Sequence, residues 1–167
     1  APPPPPPRSP ALPGDPSPQN ALAPSSDRGW ILLPAIARRQ YLKLIDKQPL
    51  LLSASEGTHH NLLEGTGARG VIACGIGYNY VKEADAQDIT LLKVSQYPLP
   101  EAQVKALAAR CSSILVVEDG QPIVEQGIKA LLGAGYPVEG RLSGRLPRTG
   151  ELSPDTLPAG GGGRPRP

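Results

Sequence analysis

The sequence predicts an α/β fold built on a three-layer, mostly parallel sheet. Three observations carry that prediction. Apolar runs at residues 70–76 (GVIACGI), 89–94 (ITLLKV) and 112–119 (SSILVVED) do not alternate with polar residues, the pattern of strands covered on both faces. The segments between them place apolar residues at helical spacing. Strand, helix, strand, helix, strand, helix, strand in that order implies right-handed crossovers and parallel neighbours.

The 167-residue chain is long enough for one domain with a real core. Its 22 prolines and 19 glycines are unevenly placed, with eleven of the prolines in residues 1–28. Such stretches lack the apolar side chains that offset chain entropy. Residues 1–29 and the closing PAGGGGRPRP are therefore expected to be disordered. Pro3, Pro6 and Arg8 fit a PxxPxR polyproline ligand pattern, but a six-proline run matches such a pattern by chance. A plain extended tail is the simpler reading.

Residues 32–47 (LLPAIARRQYLKLIDK) predict a short basic amphipathic helix. Ala37, Tyr41, Leu44 and Ile45 share one face, Arg38, Arg39, Lys43 and Lys47 the other, and Pro34 suits the first turn. Residues 53–70 read as a loop from their Gly, Ser and Thr content. After the first strand, residues 78–87 predict a short helix. Pro100 and Glu101 open another, with Val104, Leu107 and Ala108 on its apolar face. Residues 121–135 predict a third, which Gly133 or Gly135 can stop, and YPVEGRL a fourth strand. The resulting organisation is a proline-rich segment 1–29, a helix and loop 30–69, an α/β domain 70–150, and a linker and tail 151–167.

The net charge of +2 gives little reason to expect a polyanionic partner, and nucleic acid is not expected. Residues 70–140 hold five basic against eight acidic residues, so the positive balance falls in the flanks, including Arg141, Arg145, Arg148, Arg164 and Arg166. An arginine-rich tail of that kind is usually only solvated. Cys74 and Cys111 lie among apolar residues without a CxxC pair, which suits reduced thiols in a cytoplasmic protein rather than a zinc or iron–sulfur site. No apolar run approaches membrane-spanning length.

Residues 70–84 (GVIACGIGYNYVKEA) raise the question of a phosphate cradle. Gly75 and Gly77 supply two glycines of a dinucleotide fingerprint, but Tyr80 stands where the third is needed. The next strand closes on Lys93, Val94 and Ser95 rather than on an acid. The glycines are expected to turn the chain at a strand's carboxyl end, an edge that favours partners. Gly75, Gly77, Tyr78, Asn79 and Glu118 are the candidate contact residues there. Glu118 and Asp119 are expected to cap the following helix rather than to transfer protons, since no base lies near them in sequence. The adjacent His59 and His60 supply too few ligands for a metal site.

Four segments in order, GVIACGIGYNYVKEA, YPLPEAQVKAL, ILVVEDGQPIVEQGIKALL and GRLSGRLPRTGELSPD, resemble the middle domain of the indolepyruvate:ferredoxin oxidoreductase alpha subunit. The resemblance covers roughly residues 32–155. It implies a domain similar to the carboxyl-terminal domain of transketolase. It also implies a complete enzyme that uses thiamine diphosphate, Mg²⁺ and 4Fe–4S clusters to convert aryl-pyruvates to coenzyme A thioesters, passing electrons to ferredoxin. The GDG…N metal–diphosphate motif and the cluster cysteines are absent from this sequence. No catalytic, cofactor or metal role is therefore carried over to any numbered residue. The expected role is that of a fragment or split subunit, structural and subunit-contacting, with the other domains or subunits as partners. The alternative is a non-catalytic interaction module working through the proline-rich and arginine-rich tails. A free-standing nucleotide-binding domain is a third, weaker possibility.

Overall fold

Strand β2 (Arg69–Cys74) sits at the centre of the sheet because Val71, Ile72 and Ala73 are apolar on both faces and buried on both. The computed structural model describes residues 30–84 and 86–158. The chain divides into two units, Ala1–Leu42 and Lys43–Pro167. In the first, the described residues are exposed Trp30–Leu33 followed by the start of helix α1 (Pro34–Gly57). The second holds the rest of α1 and a five-stranded sheet. Its elements are β1 (Leu62–Glu64), β2, α2 (Ile76–Glu83), β3 (Ile89–Val94), α3 (Glu101–Arg110), β4 (Ile114–Val117), α4 (Ile123–Leu132), β5 (Val138–Glu139) and a short 3-10 turn, Pro154–Thr156.

The strand order is β1-β3-β2-β4-β5. Val71 pairs with Leu91 on one side and Leu115 on the other, both parallel, and β5 joins β4 in parallel. Only β1 runs antiparallel, at the edge, with Leu63 opposite Leu92. Alternate residues feed two cores. Ile72, Leu92, Ile114 and Val116 pack with Val104 and Leu107 of α3 and Val124 and Ile128 of α4. Val71, Ala73, Leu91 and Val117 pack on the other face with Val81 of α2 and with Leu146 and Leu152. Each such aliphatic side chain contributes about 1.5–3 kcal/mol on leaving water. The three-layer, mostly parallel α/β fold is as the sequence predicts.

Four local expectations need correction. The loop predicted over residues 53–70 is not one. Helix α1 continues through Pro49 to Gly57, and Leu62–Glu64 forms the edge strand. Tertiary contacts hold that last turn: Ser55 is buried, Glu56 Oε1 accepts the Ala102 amide at 2.7 Å, and Gln103 Nε2 donates to the Glu56 carbonyl. The segment from residue 151 does not begin as a free linker, because Leu152 is 1 % exposed in the α2-side core. Arg141, counted with the basic flank and its solvated arginines, is buried. Helix α2 is also shorter than expected, ending at Glu83, and Gly133, at φ 79°, is the glycine that stops α4. The proline tract, Arg164 and Arg166 lie outside the described residues.

Candidate functional site

The carboxyl ends of β2, β3 and β4 bring the turn after Cys74, the loop after Val94 and the turn after Val117 to one edge of the sheet. Ala73 pairs with Val117, so Cys74 and Glu118 end neighbouring strands. Gly75 turns the chain at φ 55°, where a side chain other than glycine is strained, and its Cβ position faces open space. Gly77 does something different. A Cβ there would stand 2.8 Å from the Val117 carbonyl oxygen, so only glycine lets α2 approach β4 this closely. The missing third fingerprint glycine is thus not what governs helix–strand packing here.

Tyr78 is half-buried. Its hydroxyl donates to Glu64 Oε1 at 3.1 Å, and its ring lies 4.7 Å from Lys93 Nζ. Lys82 adds an ion pair to the same Glu64 carboxylate at 3.1 Å. Asn79, one residue on, is exposed. The structure therefore splits the five predicted residues. Gly75 and Asn79 face outward, Gly77 is buried for packing, and Tyr78 is tied to the edge strand.

Glu118 is turned inward and 5 % exposed. Its Oε2 accepts the Val124 amide at 2.9 Å and its Oε1 the Glu125 amide at 2.8 Å, satisfying two of the otherwise unpaired N–H groups that open α4. The capping expected of Glu118 and Asp119 is filled by Glu118, which reaches the helix from the strand end rather than from the cap position, while Asp119 pairs with Arg141 instead. Asp119 is held by Arg141 at 2.8 Å, and Arg141 Nε donates to the Glu118 carbonyl at 3.0 Å. Glu125 is likewise buried, accepting from Lys129 at 2.7 Å and from the Leu142 amide at 2.8 Å. The Cys74 thiol is pushed up to about 12 by burial and, secondarily, by the Glu118 charge. It stays protonated at neutral pH and is a poor nucleophile. Tyr97 is raised to about 12 by desolvation and by the same two neighbours. His59 and His60 place their ring centroids 3.9 Å apart, and no three His, Cys, Asp or Glu side chains are grouped for a metal among the described residues.

The loop after β3 is fixed by a residue that sequence reasoning missed. Asn61, 4 % exposed, accepts the amides of Ser95 and Gln96 at 2.8 and 2.9 Å. Its amide group reaches the Ser55 carbonyl and hydroxyl and the Gln96 carbonyl, each at 3.0 Å. The Ser55 hydroxyl in turn reaches the carbonyls of Gln96 and Pro98. A lone Asn between His60 and Leu62 carries no sequence pattern that announces this. Three large apolar side chains, each just beyond a strand's carboxyl end, were also missed as surface features. Ile76, Tyr97 and Ile123 are 46, 55 and 66 % exposed. Tyr97 follows the Gln96 amide held by Asn61 and Ile123 precedes the Val124 amide held by Glu118, and exposed apolar tips on a fixed backbone are suited to docking.

No family model matches the chain. Curated proteins named indolepyruvate oxidoreductase subunit IorA do match it. The protein from Methanothermobacter thermautotrophicus is 32 % identical over 138 residues, covering 77 % of this chain and 22 % of that protein. The one from Archaeoglobus fulgidus is 32 % identical over 128 residues, covering 74 % and 20 %. The one from Thermococcus kodakarensis is 28 % identical over 134 residues, again covering 74 % and 20 %. The chain spans about a fifth of the length of these relatives.

Proposed function

The chain carries a segment of the indolepyruvate oxidoreductase subunit IorA family, and from that premise we propose that it is a structural, subunit-contacting domain of a 2-oxoacid:ferredoxin oxidoreductase. In this reading the complete enzyme performs thiamine diphosphate-dependent oxidative decarboxylation of aryl-pyruvates in the cytoplasm, and its 4Fe–4S clusters hand electrons to ferredoxin. The present domain contributes a transketolase-C-like sheet. Its carboxyl edge docks against the other domains or subunits.

The observation that carries this reading is the division of labour at that edge. The Glu118 carboxylate is turned inward, and the large apolar side chains Ile76, Tyr97 and Ile123 face outward beside the exposed Asn79 and the Arg141-paired Asp119. Glu118 holds two backbone amides and Asp119 holds Arg141. These carboxylates do not fit a Mg²⁺–diphosphate, which needs oxygen ligands aimed at the ion. Two thiols, one of them pushed up to about 12, do not fit a cluster held by four thiolates. Neither group is assigned to this chain. No described helix is long and apolar enough to cross a membrane.

Affinity purification of the tagged chain from its own cells tests the docking edge. The wild-type chain is expected to bring down partner subunits of the oxidoreductase. The double variant Ile76→Glu/Ile123→Glu is expected to recover at least ~10-fold less, the cost of about 1.4 kcal/mol at an interface. Both side chains are largely exposed, so the variant keeps its fold. Equal recovery by the two proteins overturns the proposed edge.

A further inference from the structure

A cleft of about 810 Å³ opens on the α2 face of the sheet, at the end where β2, β3 and β4 begin. The three-layer fold explains it, since α3 and α4 cover one face while α2 is the only described α-helix packed into the core of the other. Half-buried Ile89, Leu115 and Leu157 line the cleft and adjoin the core that Val71, Val81 and Val117 build. Apolar surface of this kind stays against water until something covers it.

Exposed acids surround the opening. Glu83 ends α2, Asp88 precedes β3, Glu139 lies in β5 and Asp155 in the 3-10 turn. Two cations share the rim, and both are turned onto the domain itself. Arg69 donates to the Gln87 carbonyl at 2.6 Å, and Arg145 lies 3.8 Å from Glu139. Four carboxylates against two engaged guanidinium groups leave the opening negative.

We propose that this cleft is a docking site for a basic polypeptide segment, one that inserts apolar side chains flanked by Lys or Arg. Charge argues against the other large partners, because the phosphates of nucleic acid or of an anionic membrane would face the carboxylates. The spread of the acids argues against a small ligand. Such a ligand is gripped by a few convergent polar groups, whereas these acids come from four separate segments around the rim. An apolar centre within a ring of dispersed charge is the anatomy of a polypeptide interface. Cations flanking the inserted side chains would meet the carboxylates and speed encounter. The cleft lies at the opposite end of the strands from Ile76, Tyr97 and Ile123, so one surface can be filled without covering the other. The inference does not rest on the proposed enzymatic role.

Selection from a random peptide library displayed on phage, with the purified full chain as bait, tests it. Enriched sequences are expected to place Leu, Ile, Phe or Trp between Lys or Arg. The most enriched peptide, synthesised with a fluorescent label, is expected to bind Glu83→Lys/Glu139→Lys at least ~10-fold more weakly than the wild type. Glu83→Gln/Glu139→Gln, which removes charge without adding any, is expected to fall between the two. Both positions are exposed, and an unchanged circular dichroism melt verifies that the variants fold. Asp88, at φ 56°, is left in place because few side chains accept that backbone. The peptide is expected to bind Ile76→Glu/Ile123→Glu as tightly as the wild type, which separates the cleft from the carboxyl edge. No enrichment, enrichment of acidic sequences, equal binding by the cleft variants, or a loss confined to the edge variant overturns the proposal.

Discussion

Replacing Gly67 with alanine is expected to prevent the domain from folding stably. A Cβ at this position would lie 2.0 Å from the Asp88 carbonyl carbon and 2.2 Å from the Ile89 nitrogen. Both are backbone atoms and cannot rotate away. The segment cannot yield either, because it is tied down from both sides. The Gly67 amide donates to the Ile89 carbonyl at 3.2 Å, and the Thr90 hydroxyl donates to the Gly67 carbonyl at 2.7 Å. Relief therefore requires β3 to shift against β2, the central pair of the sheet. A cost above ~4 kcal/mol follows, a large share of the 5–15 kcal/mol that holds a typical domain together. Soluble yield and thermal melting of Gly67→Ala read it directly. Gly57→Ala is the matched control. No atom lies within 4 Å of its Cβ position, so it should melt at or slightly above the wild-type temperature.

The second large effect is expected at Asn61. Alanine there leaves the amides of Ser95 and Gln96 without their acceptor. The Ser55 and Gln96 carbonyls also lose a donor. Each buried group left unpaired costs about 1–3 kcal/mol, and water reaching the loop offsets part of the total. A net loss of ~3 kcal/mol is expected, or a melting temperature lower by about 10 °C. Asn61→Asp should not rescue it. The carboxylate keeps the acceptor toward the two amides but turns a second oxygen on the three oxygens that the amide group now serves. A variant that melts with the wild type would show that the loop after β3 is held by something else. The same substitution should also weaken capture of the oxidoreductase partner subunits, because Tyr97 rides on that loop.

These two positions mark the limit of what the residues disclose before folding. Strands β2, β3 and β4 were legible because a parallel sheet covered on both faces needs unbroken apolar runs, and residues 70–76, 89–94 and 112–119 supply them. The glycine turn was legible as a turn, and the family resemblance matched the relatives found by comparison. The capping by Glu118 was also anticipated, since an acid ahead of a helix has a local electrostatic reason to be there.

What was not legible is held by contacts distant in sequence. Residues 53–70 look like a loop because Ser, Thr, Gly and His favour turns locally. The stretch becomes helix and strand only when Asn61 meets Ser95 and Gln96, and Leu63 meets Leu92. Arg141 looks like one more flank arginine until the fold brings it to Asp119, 22 positions away. Glycine spacing is ambiguous for the same reason. Gly75 is needed for its backbone angle and Gly77 for the proximity of Val117, and only the assembled sheet separates the two. Exposure of Ile76, Tyr97 and Ile123 is a property of three chain segments at once and has no one-dimensional pattern.

The central claim is that this chain serves the enzyme as a docking domain in which the strand-end Glu118 carboxylate and Cys74 thiol are committed to the fold. Titration calorimetry of thiamine diphosphate into the purified full chain, with and without Mg²⁺, tests it most directly. The account predicts heats indistinguishable from dilution in both cases, because Glu118 and Asp119 are already held by the α4 amides and by Arg141. Saturable, Mg²⁺-dependent binding at micromolar or tighter affinity would contradict it and place the cofactor on this chain.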